Sequence, residues 1–340
     1  MAVTRKEIFK NEIMMKMKYQ LGKNELAILE TVLSEALYYV EIVEAVTLPA
    51  TVNMTNEYIL ELYELKRSLI LKPSTMKVYM ATAREFLQYI NKPLVQVNRE
   101  DIEHYLRLKI KAGNVGASMN NKRRKLNSLF VWMKKQKFIM ENPMEDIECF
   151  REVLKPVDHM TAEEVEQLKE GCMDKRDRAL LEWLRCTATR KGEIPYININ
   201  QINWGTGEVL IYGEKTDTYR NVYLDAVAIK YLLEYITEER GLTVRSSEPL
   251  FTHLRGDRKA VLTQSGIYAQ VKRIAQRSGL DRRVYPHLFR KTTATNIVRR
   301  GGSTDEAGLY MGHKPQGVTA RHYVSAEKIS KIFREYVEAI

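Results

Sequence analysis

The sequence contains few cysteines and no long hydrophobic run. Cys149, Cys172 and Cys186 are its only cysteines, and three scattered thiols are too few for a disulfide framework or a zinc site. No segment approaches the roughly 18 uncharged apolar residues that a membrane-spanning helix requires. The first residues also lack the apolar core of a secretory signal. We therefore expect a reduced, metal-free protein that lies in the cytoplasm and contacts no membrane.

Basic residues are in excess, but the excess is unevenly distributed. The 340 residues include 54 Lys+Arg and 43 Asp+Glu, a formal charge of +11. Residues 1–60 carry 6 basic and 8 acidic side chains, whereas residues 61–150 carry 17 and 10 and residues 151–340 carry 31 and 25. The 44% hydrophobic content excludes wholesale disorder. A basic body favours a polyanionic partner, although a solvated face of lysines and arginines explains the charge equally well.

Periodicity and turn signals divide the chain into five segments. The first holds two helical patterns, and the second is a succession of short amphipathic helices without an alternating strand pattern. A connector bracketed by prolines leads to a second domain, which opens with a capping box at Thr161 and Glu164. The segments are a helical N-terminal appendage over 1–55, an all-helical domain over 56–142, a linker over 143–158, a mixed domain over 159–325 and a C-terminal helix over 326–340.

One β-rich region interrupts the helices of the second domain. Residues 208–212 and 219–224 are short β-prone runs, and the polar stretch between them carries Lys215. Two such runs around a polar tip are typical of a β-hairpin. The sequence therefore predicts a mainly α fold with one small hairpin.

The densest basic cluster lies in the first domain, near a helix that we expect to begin at about Ser118. It consists of Lys122, Arg123, Arg124 and Lys125. Cations near a helix N-terminus oppose the helix dipole, so helix stability does not explain them. We therefore interpret these four residues as contacts for phosphate groups.

Several polar residues of the second domain occupy positions that packing does not require. Pro286 suits a helix start, and the i, i+3 spacing places His287 and Arg290 on one side of the first turns. A histidine and an arginine placed in this way can form a phosphate pocket. When the pair is considered alone, a surface ion pair or a capping contact is the more common explanation. Arg190 in a polar turn and Lys215 at the hairpin tip are equally ordinary when each is taken singly.

The order of these residues along the chain is more specific than any one of them. It runs Arg, Lys, His-x-x-Arg, Gly-His and Tyr, and it ends with Met311-Gly312-His313 and Arg321-His322-Tyr323. This order resembles the signature of the tyrosine recombinase (phage-type integrase) family, over about residues 57–340. The stretch Arg190-Lys-Gly-Glu193-Ile194 is similar to the family motif Arg-x-[Ser/Gly]-Glu-[Leu/Ile].

The resemblance implies a role for each residue of the signature. It makes Tyr323 the nucleophile, Arg190 and Arg290 the clamps on the scissile phosphate, Lys215 the general acid, His287 and His313 the supporting acid/base and hydrogen-bonding groups, and Glu193 the carboxylate that supports Arg190. Two guanidinium groups can clamp the phosphate oxygens without a metal. A tyrosine ester preserves the bond energy for rejoining, so no ATP or other cofactor is needed.

The resemblance also implies an architecture, an activity and partners. A helical core-binding domain and a mixed α/β catalytic domain would form a C-shaped clamp on double-stranded DNA. A homotetramer would exchange strands at a specific site through a 3′-phosphotyrosyl intermediate and a Holliday junction, with the C-terminal helix exchanged between subunits. Integration and excision of a mobile element, aided by accessory excision or DNA-bending proteins, is the favoured role. Chromosome-dimer resolution, a tyrosine-type topoisomerase and a non-cutting DNA-binding regulator are the alternatives.

The sequence departs from the family pattern at three places. Ala188 stands where many members have glycine, and Lys291 follows the second arginine where histidine is common. We expect neither to touch the chemistry directly. The nucleophile lies ten residues after His313 instead of the usual nine. That extra residue leaves open which group supports Tyr323, since His322 is adjacent and Tyr310 and Tyr285 are nearby alternatives. Tyr323 stays the expected nucleophile, because it follows Arg321-His322 where the family places it.

Overall fold

The computed structural model divides the chain into two compact units, Met1–Leu154 and Lys155–Ile340. It describes residues 5–18, 20–40, 55–153, 156–213, 217–254, 256–257, 260–313 and 326–338. Among these residues, no helix is both long and apolar enough to cross a bilayer.

The first unit consists of helices. They are α1 (Arg5–Met17), α2 (Lys23–Tyr38), α3 (Asn56–Ser68), α4 (Pro73–Ile90), α5 (Arg99–Lys111) and α6 (Gly116–Lys135). Local signals in the sequence set these bounds, since the Asn98 side chain caps α5 as its position predicts. Helices α3 to α6 enclose one core, in which Phe86 meets Tyr105 and Phe130 edge-on at ring-centroid distances of 5.1 and 6.1 Å.

Helices α1 and α2 contact each other and contribute nothing to this core. No residue of α2 is buried, and Tyr38 and Tyr39 at its end are 75% and 88% exposed. The sequence predicts a packing surface made of Tyr38, Tyr39, Val40, Ile42 and Val43. The first three are open to solvent, and Ile42 and Val43 lie outside the described residues. The predicted extension of this helix to residue 46 falls in 41–54, outside the described residues.

The first half of the predicted linker packs on the first unit. Met144 and Ile147 are buried in the α3–α6 core. Asn120 of α6 donates to the Phe150 carbonyl at 2.9 Å and accepts from the Phe150 N–H at 2.8 Å. These contacts extend the compact part of the first unit to about residue 150, because a buried amide requires partners and finds them in this segment.

The second unit is helical except for one hairpin, which confirms the predicted fold class. Its elements are α7 (Ala162–Glu170), α8 (Lys175–Thr187), β1 (Glu208–Gly213), β2 (Thr218–Tyr223), α9 (Ala226–Glu234), α10 (Gln264–Arg277), α11 (Pro286–Arg299), α12 (Thr304–Tyr310) and α13 (Ala326–Ile332). Strands β1 and β2 are antiparallel, with Ile211 opposite Arg220. The capping box of Thr161 and Glu164 forms as predicted.

Helix α8 runs through the centre of the second unit. Its apolar residues Leu180, Trp183 and Leu184 are fully buried. Burial of a complete helix leaves its charged residues without water, so they must find partners inside the protein. Arg185 accordingly bonds to Glu182 of the same helix and to Asp225 before α9, each at 2.6 Å. These bonds hold the end of α8 firmly. The turn over residues 188–193 follows directly from this end.

The C-terminal helix packs on its own domain within the single chain. Helix α13 continues into a π-helical turn, Phe333–Val337. Its apolar stripe of Ile329, Ile332, Phe333 and Val337 is buried, and the Phe333 ring stacks on Tyr223 at a centroid distance of 5.5 Å. Exchange of this helix between subunits stays a prediction.

Candidate active site

The first predicted clamp, Arg190, lies in the turn that follows α8. The helix ends at Thr187, and Ala188 adopts a left-handed conformation with φ 47° and ψ 31°. The turn then folds back on itself through Glu193, whose carboxylate accepts from the Arg190 N–H at 2.8 Å and from its Nη1 at 3.0 Å. Glu193 therefore supports Arg190, as the motif implies.

A second arginine holds the same carboxylate. Arg220 on β2 donates from Nη1 to Glu193 Oε1 at 2.9 Å and from Nη2 to Oε2 at 2.7 Å. Glu193 is only 3% exposed, and this burial alone would raise its pKa. The bonds from Arg220 and Arg190 outweigh burial, so the pKa of Glu193 lies below its usual value and the carboxylate stays charged.

Sequence reasoning missed Arg220, although a signal for it exists. Ile211 of β1 is buried and lies directly opposite Arg220, and residues opposite each other in a hairpin point to the same face. A charged residue on the inward face of a hairpin requires a buried partner. The alternation of β1 could therefore have identified Arg220 as a residue that pairs with a carboxylate of the second unit.

The second predicted clamp, Arg290, is buried in the first turns of α11. Pro286 occupies the first position of this helix, and Arg290 is 1% exposed. Its Nη1 donates to the Ala188 carbonyl at 2.7 Å, and its Nη2 donates to the Met311 carbonyl. Burial, followed by the neighbouring charge of Arg190, lowers the pKa of Arg290 to about 9. Among the described residues, the partners of the buried guanidinium are main-chain carbonyls and no carboxylate bonds to it.

The Gly-His motif approaches both arginines at the end of α12. Arg190 Nη2 lies 3.5 Å from the Gly312 carbonyl oxygen. His313 donates its backbone N–H to the Gly308 carbonyl at 2.9 Å. Burial and the charges of Arg290 and then Arg190 lower the pKa of His313. This histidine is therefore neutral at pH 7 and free to accept or donate a hydrogen bond.

The start of α11, the end of α12 and the turn after α8 bring most of the predicted site residues together. His287 is exposed on the first turn of α11, and its charge is one of the smaller causes that lower the pKa of His313. Lys215 falls in 214–216 and Tyr323 in 314–325, so both lie outside the described residues.

Of the two alternative tyrosines, Tyr310 is ruled out as a nucleophile. Its side chain is 1% exposed, and its hydroxyl donates to the Cys186 carbonyl. Burial raises the pKa of Tyr310 well above its usual value, which opposes formation of a phenolate. Tyr285 is half-buried at the residue that precedes α11.

The basic cluster of the first unit is not at a helix start. Helix α6 begins at Gly116, so Lys122 to Lys125 lie from its second turn onward, and the argument from the helix dipole was wrong. Lys122 also has a partner, because its Nζ lies 2.5 Å from Glu85 Oε2. Arg124 is exposed. Phosphate contact by this cluster stays a prediction, and the structure favours Arg124 over Lys122 for it.

The site as a whole suits an anion. Arg190 and Arg220 share the carboxylate of Glu193, whereas Arg290 bonds to main-chain carbonyls. The surplus positive charge can stabilise a phosphate as its negative charge redistributes during attack. Within the described residues, no three His, Cys, Asp or Glu side chains are grouped to hold a metal ion.

Comparison with known families identifies the family to which the chain belongs. The model of the phage integrase family matches residues 158–329, and that of the phage integrase N-terminal SAM-like domain matches residues 59–139. The chain therefore belongs to the phage integrase family, the tyrosine recombinases. The expected family is confirmed, and with it the class of enzymes that break and rejoin DNA.

The curated relatives are tyrosine recombinases of similar length. Tyrosine recombinase XerD of Oceanobacillus iheyensis is 24% identical over 279 residues, which cover 78% of this chain and 93% of the relative. Tyrosine recombinase XerC of Anoxybacillus flavithermus is 26% identical over 275 residues, which cover 77% and 90%.

Solved structures share the fold. A lambda integrase (75-356) dimer bound to a COC′ core site has a TM-score of 0.63 at 20% identity, covering 77% of this chain and 96% of that chain. A lambda integrase tetramer bound to a Holliday junction has a TM-score of 0.63 at 17% identity, covering 87% and 89%. The Tn1549 transposon integrase with circular intermediate DNA reaches 0.60 at 16% identity, covering 83% and 95%.

Proposed function

We propose that this protein cuts and rejoins double-stranded DNA at a specific site through a covalent bond to Tyr323. The observation that carries the proposal is the convergence of Arg190, Arg290 and His313 around one anion-accepting site in a member of the phage integrase family. A buried arginine with a lowered pKa is stabilised by an incoming anion, so the site gains most from a ligand that carries a phosphate.

The proposed chemistry needs only side chains. The Tyr323 oxygen attacks the scissile phosphorus, a bond to the 3′ phosphate forms, and the bond to the 5′ oxygen breaks. Lys215 donates the proton that the departing 5′ oxygen requires. The tyrosine proton passes to a histidine, either His287 or His313, because an imidazole can accept a proton near neutrality. Rejoining reverses these steps, and the tyrosine ester supplies the bond energy.

Both clamps enter this reaction already positioned. Arg290 is fixed by two main-chain carbonyls, and Arg190 is fixed by Glu193. Groups that are held in place before the reaction stabilise developing charge without reorganising at the moment of attack.

A nicked suicide duplex tests the chemistry. When the strand beyond the cut diffuses away, a cutting enzyme remains covalently attached to the DNA, and the adduct is visible on a denaturing gel. We expect an adduct with the wild-type protein and none with Tyr323→Phe. A wild-type protein that binds the duplex but forms no adduct would identify a non-cutting regulator.

Strand exchange then separates the remaining alternatives. We infer that the protein acts as a homotetramer through a Holliday junction, an inference supported by the shared fold with the lambda integrase tetramer. Recombinant strands from two differently labelled duplexes are expected. An adduct without exchange would indicate a tyrosine-type topoisomerase instead.

We further infer a role in integration and excision of a mobile element, aided by accessory excision or DNA-bending proteins. The chain covers over nine-tenths of XerD from O. iheyensis, yet that match uses only 78% of this chain. The family models begin at residue 59, so the appendage lies outside them. An attachment-site repeat in the DNA that flanks the coding region is expected, and its absence would favour chromosome-dimer resolution.

The appendage is proposed to contact protein. Residues 1–60 carry a net charge of −2, which disfavours strong DNA binding, and α2 presents an open apolar stripe. Deleting residues 1–50 is expected to leave the DNA footprint unchanged. A shorter footprint would show that the appendage binds DNA.

A further inference from the structure

We propose that Arg220 is a positioning residue for DNA cleavage, which keeps Glu193 in place and preserves the charge of Arg190 for the phosphate. The inference rests on the proposed cleavage reaction and deepens it. Arg220 lies on the hairpin strand that follows Lys215 by a few residues, outside every motif of the family signature used above.

The Glu193 carboxylate is saturated with hydrogen bonds. Its Oε1 accepts from Arg220 Nη1 at 2.9 Å and from Arg190 Nη1 at 3.0 Å. Its Oε2 accepts from Arg220 Nη2 at 2.7 Å and from the Arg190 N–H at 2.8 Å. Two parallel bonds from one planar guanidinium fix both the position and the rotation of a carboxylate. Arg190 is therefore placed by a group that Arg220 holds rigid.

Arg220 also affects the net charge of the site. A buried carboxylate paired with Arg190 alone would largely cancel the charge that a phosphate needs. Arg220 supplies a second cation to the same carboxylate, so the pair of arginines and Glu193 keep one net positive charge. That charge is felt nearby, because Arg190 and Arg220 both lower the pKa of Arg290. The anion site thus depends on Arg220 without requiring Arg220 to contact the anion.

Arg220 also lies close to the Gly-His motif. A Cβ on Gly312 would lie 2.6 Å from Arg220 Cδ and 2.9 Å from its Nε. Only glycine leaves room for this side chain, so Gly312 rests directly on Arg220. The same side chain therefore braces Glu193 on one side and the backbone that leads to His313 on the other.

The competing explanation is that Arg220 only stabilises the fold. A variant that removes the charge of Arg220 tests this explanation, provided that one DNA substrate can be cleaved without help from Arg190. A methylphosphonate at the scissile position lacks the negative charge that Arg190 neutralises. A cleavage defect caused by a misplaced or neutralised Arg190 is therefore reduced on this substrate, whereas a defect caused by partial unfolding is not.

The experiment compares Arg220→Met and Arg220→Lys with a matched control, Arg240→Met. Arg240 is also a largely buried arginine on a carboxylate, with Nη2 at 2.7 Å from Glu248, and it belongs to no part of the site. Nicked suicide duplexes with a phosphodiester or a methylphosphonate at the cut are used. Adduct formation rate, DNA affinity and melting temperature are measured for each variant.

Arg220→Met is expected to cleave the phosphodiester roughly 100-fold more slowly than wild type, with DNA affinity nearly unchanged. The defect should shrink at least about tenfold on the methylphosphonate. Arg220→Lys should be intermediate, because an ammonium group cannot bond both carboxylate oxygens in parallel. Arg240→Met should cleave both substrates at similar rates to wild type.

Three results would overturn the proposal: wild-type rates for either Arg220 variant on the phosphodiester, equal defects of Arg220→Met on both substrates, or equal defects in Arg240→Met. If Arg220→Met does not fold, Arg220→Lys alone decides, because it keeps the charge. Failure of the cleavage reaction itself is distinct, since the wild-type protein would then form no adduct that depends on Tyr323.

Discussion

Arg290 donates a hydrogen bond to the carbonyl of Ala188, a residue held in the left-handed conformation. We expected Ala188 not to touch the chemistry directly, and its role is indirect, since its backbone carbonyl positions the clamp Arg290. A β-branched side chain at such a φ is strongly disfavoured. Ala188→Val should lower the free energy of unfolding by at least about 2 kcal/mol and slow adduct formation, as measured by urea titration and the suicide duplex.

Glycine at the same position should be tolerated. Ala188→Gly relieves about 1 kcal/mol of left-handed strain, and the greater backbone entropy of glycine offsets this by about 0.5–1 kcal/mol. Ala179→Gly is the matched control, since Ala179 is equally buried but lies inside α8. It should cost at least about 1 kcal/mol more than Ala188→Gly. Equal losses in urea titrations would contradict a strained Ala188.

Gly312→Ala should impair cleavage more than the same change at Gly279, a glycine of similar φ with open space around it. The added methyl group combines a φ of +63° with a contact of 2.6 Å to Arg220 Cδ. Gly279→Ala is the control, because its φ is +68° and nothing lies within 4 Å of the added Cβ. We expect both variants to lose about 1 kcal/mol of stability from strain, and only Gly312→Ala to lose adduct formation. Similar rates of adduct formation for the two glycine variants would show that the Arg220 side chain can move aside without affecting cleavage.

Local signals predicted much of this fold. The capping box at Thr161 and the cap at Asn98 both form, and α11 begins at Pro286 as expected. Such signals depend on a few adjacent residues, so a sequence displays them directly. The hairpin followed from two β-prone runs and was equally local.

Long-range contacts set the features that were missed. The helical spacing of α11 predicts that Ala294, Ile297 and Val298 form its buried side, yet Val298 is 42% exposed. The polar Arg290, Thr292 and Thr293 are buried in the second unit instead. The pairing of Arg220 with Glu193 joins residues 27 positions apart. Nothing in the sequence near either residue specifies the other, so only the assembled fold reveals the pair.

The carboxylate of Glu193 should make the protein sensitive to acid. Its pKa is lower in the folded state than the ordinary value of 4.5, so the unfolded chain binds the proton more readily. The stability it contributes is fully present above about pH 4.5 and is lost as pH falls through the folded pKa. Glu193→Gln should abolish this component.

At pH 7 the same variant should lose about 3 kcal/mol, because Arg220 is left buried without its carboxylate. Urea titrations at pH 7 and at pH 4 measure both effects. A wild-type protein and a Glu193→Gln variant that lose equal stability between these pH values would contradict a lowered pKa for Glu193.

His313 should give a second test of the charge around the site, at higher pH and with the same sign. Its pKa is lowered from 6.5 in the folded state, so the unfolded chain again binds protons more readily as pH falls. Stability is therefore retained above pH 6.5 and declines as pH drops through the folded pKa. The ring is exposed, which keeps the effect small. His313→Asn should show a flatter decline than wild type from pH 7.5 to 5.5 in chemical denaturation.

Salt dependence of DNA binding should distinguish the members of the basic cluster on α6. Glu85 binds both Lys122 and Lys109, at 2.5 and 2.6 Å, and these bonds lower the pKa of its carboxyl. A lysine that already neutralises a carboxylate releases few counterions when it meets a phosphate. Arg124 is exposed, and within the described part of the chain its Nε donates to the Asn120 carbonyl at 3.3 Å with no carboxylate beside it.

Arg124→Gln should therefore reduce the slope of log K against log[salt] by about 1, whereas Lys122→Gln should change it little. Because removing Lys122 leaves Glu85 with one cation instead of two, that variant should affect stability more than affinity. Fluorescence anisotropy with a labelled duplex between about 50 and 200 mM salt measures the slopes. A larger change in slope for Lys122→Gln would mean that Lys122 leaves Glu85 to reach the DNA backbone.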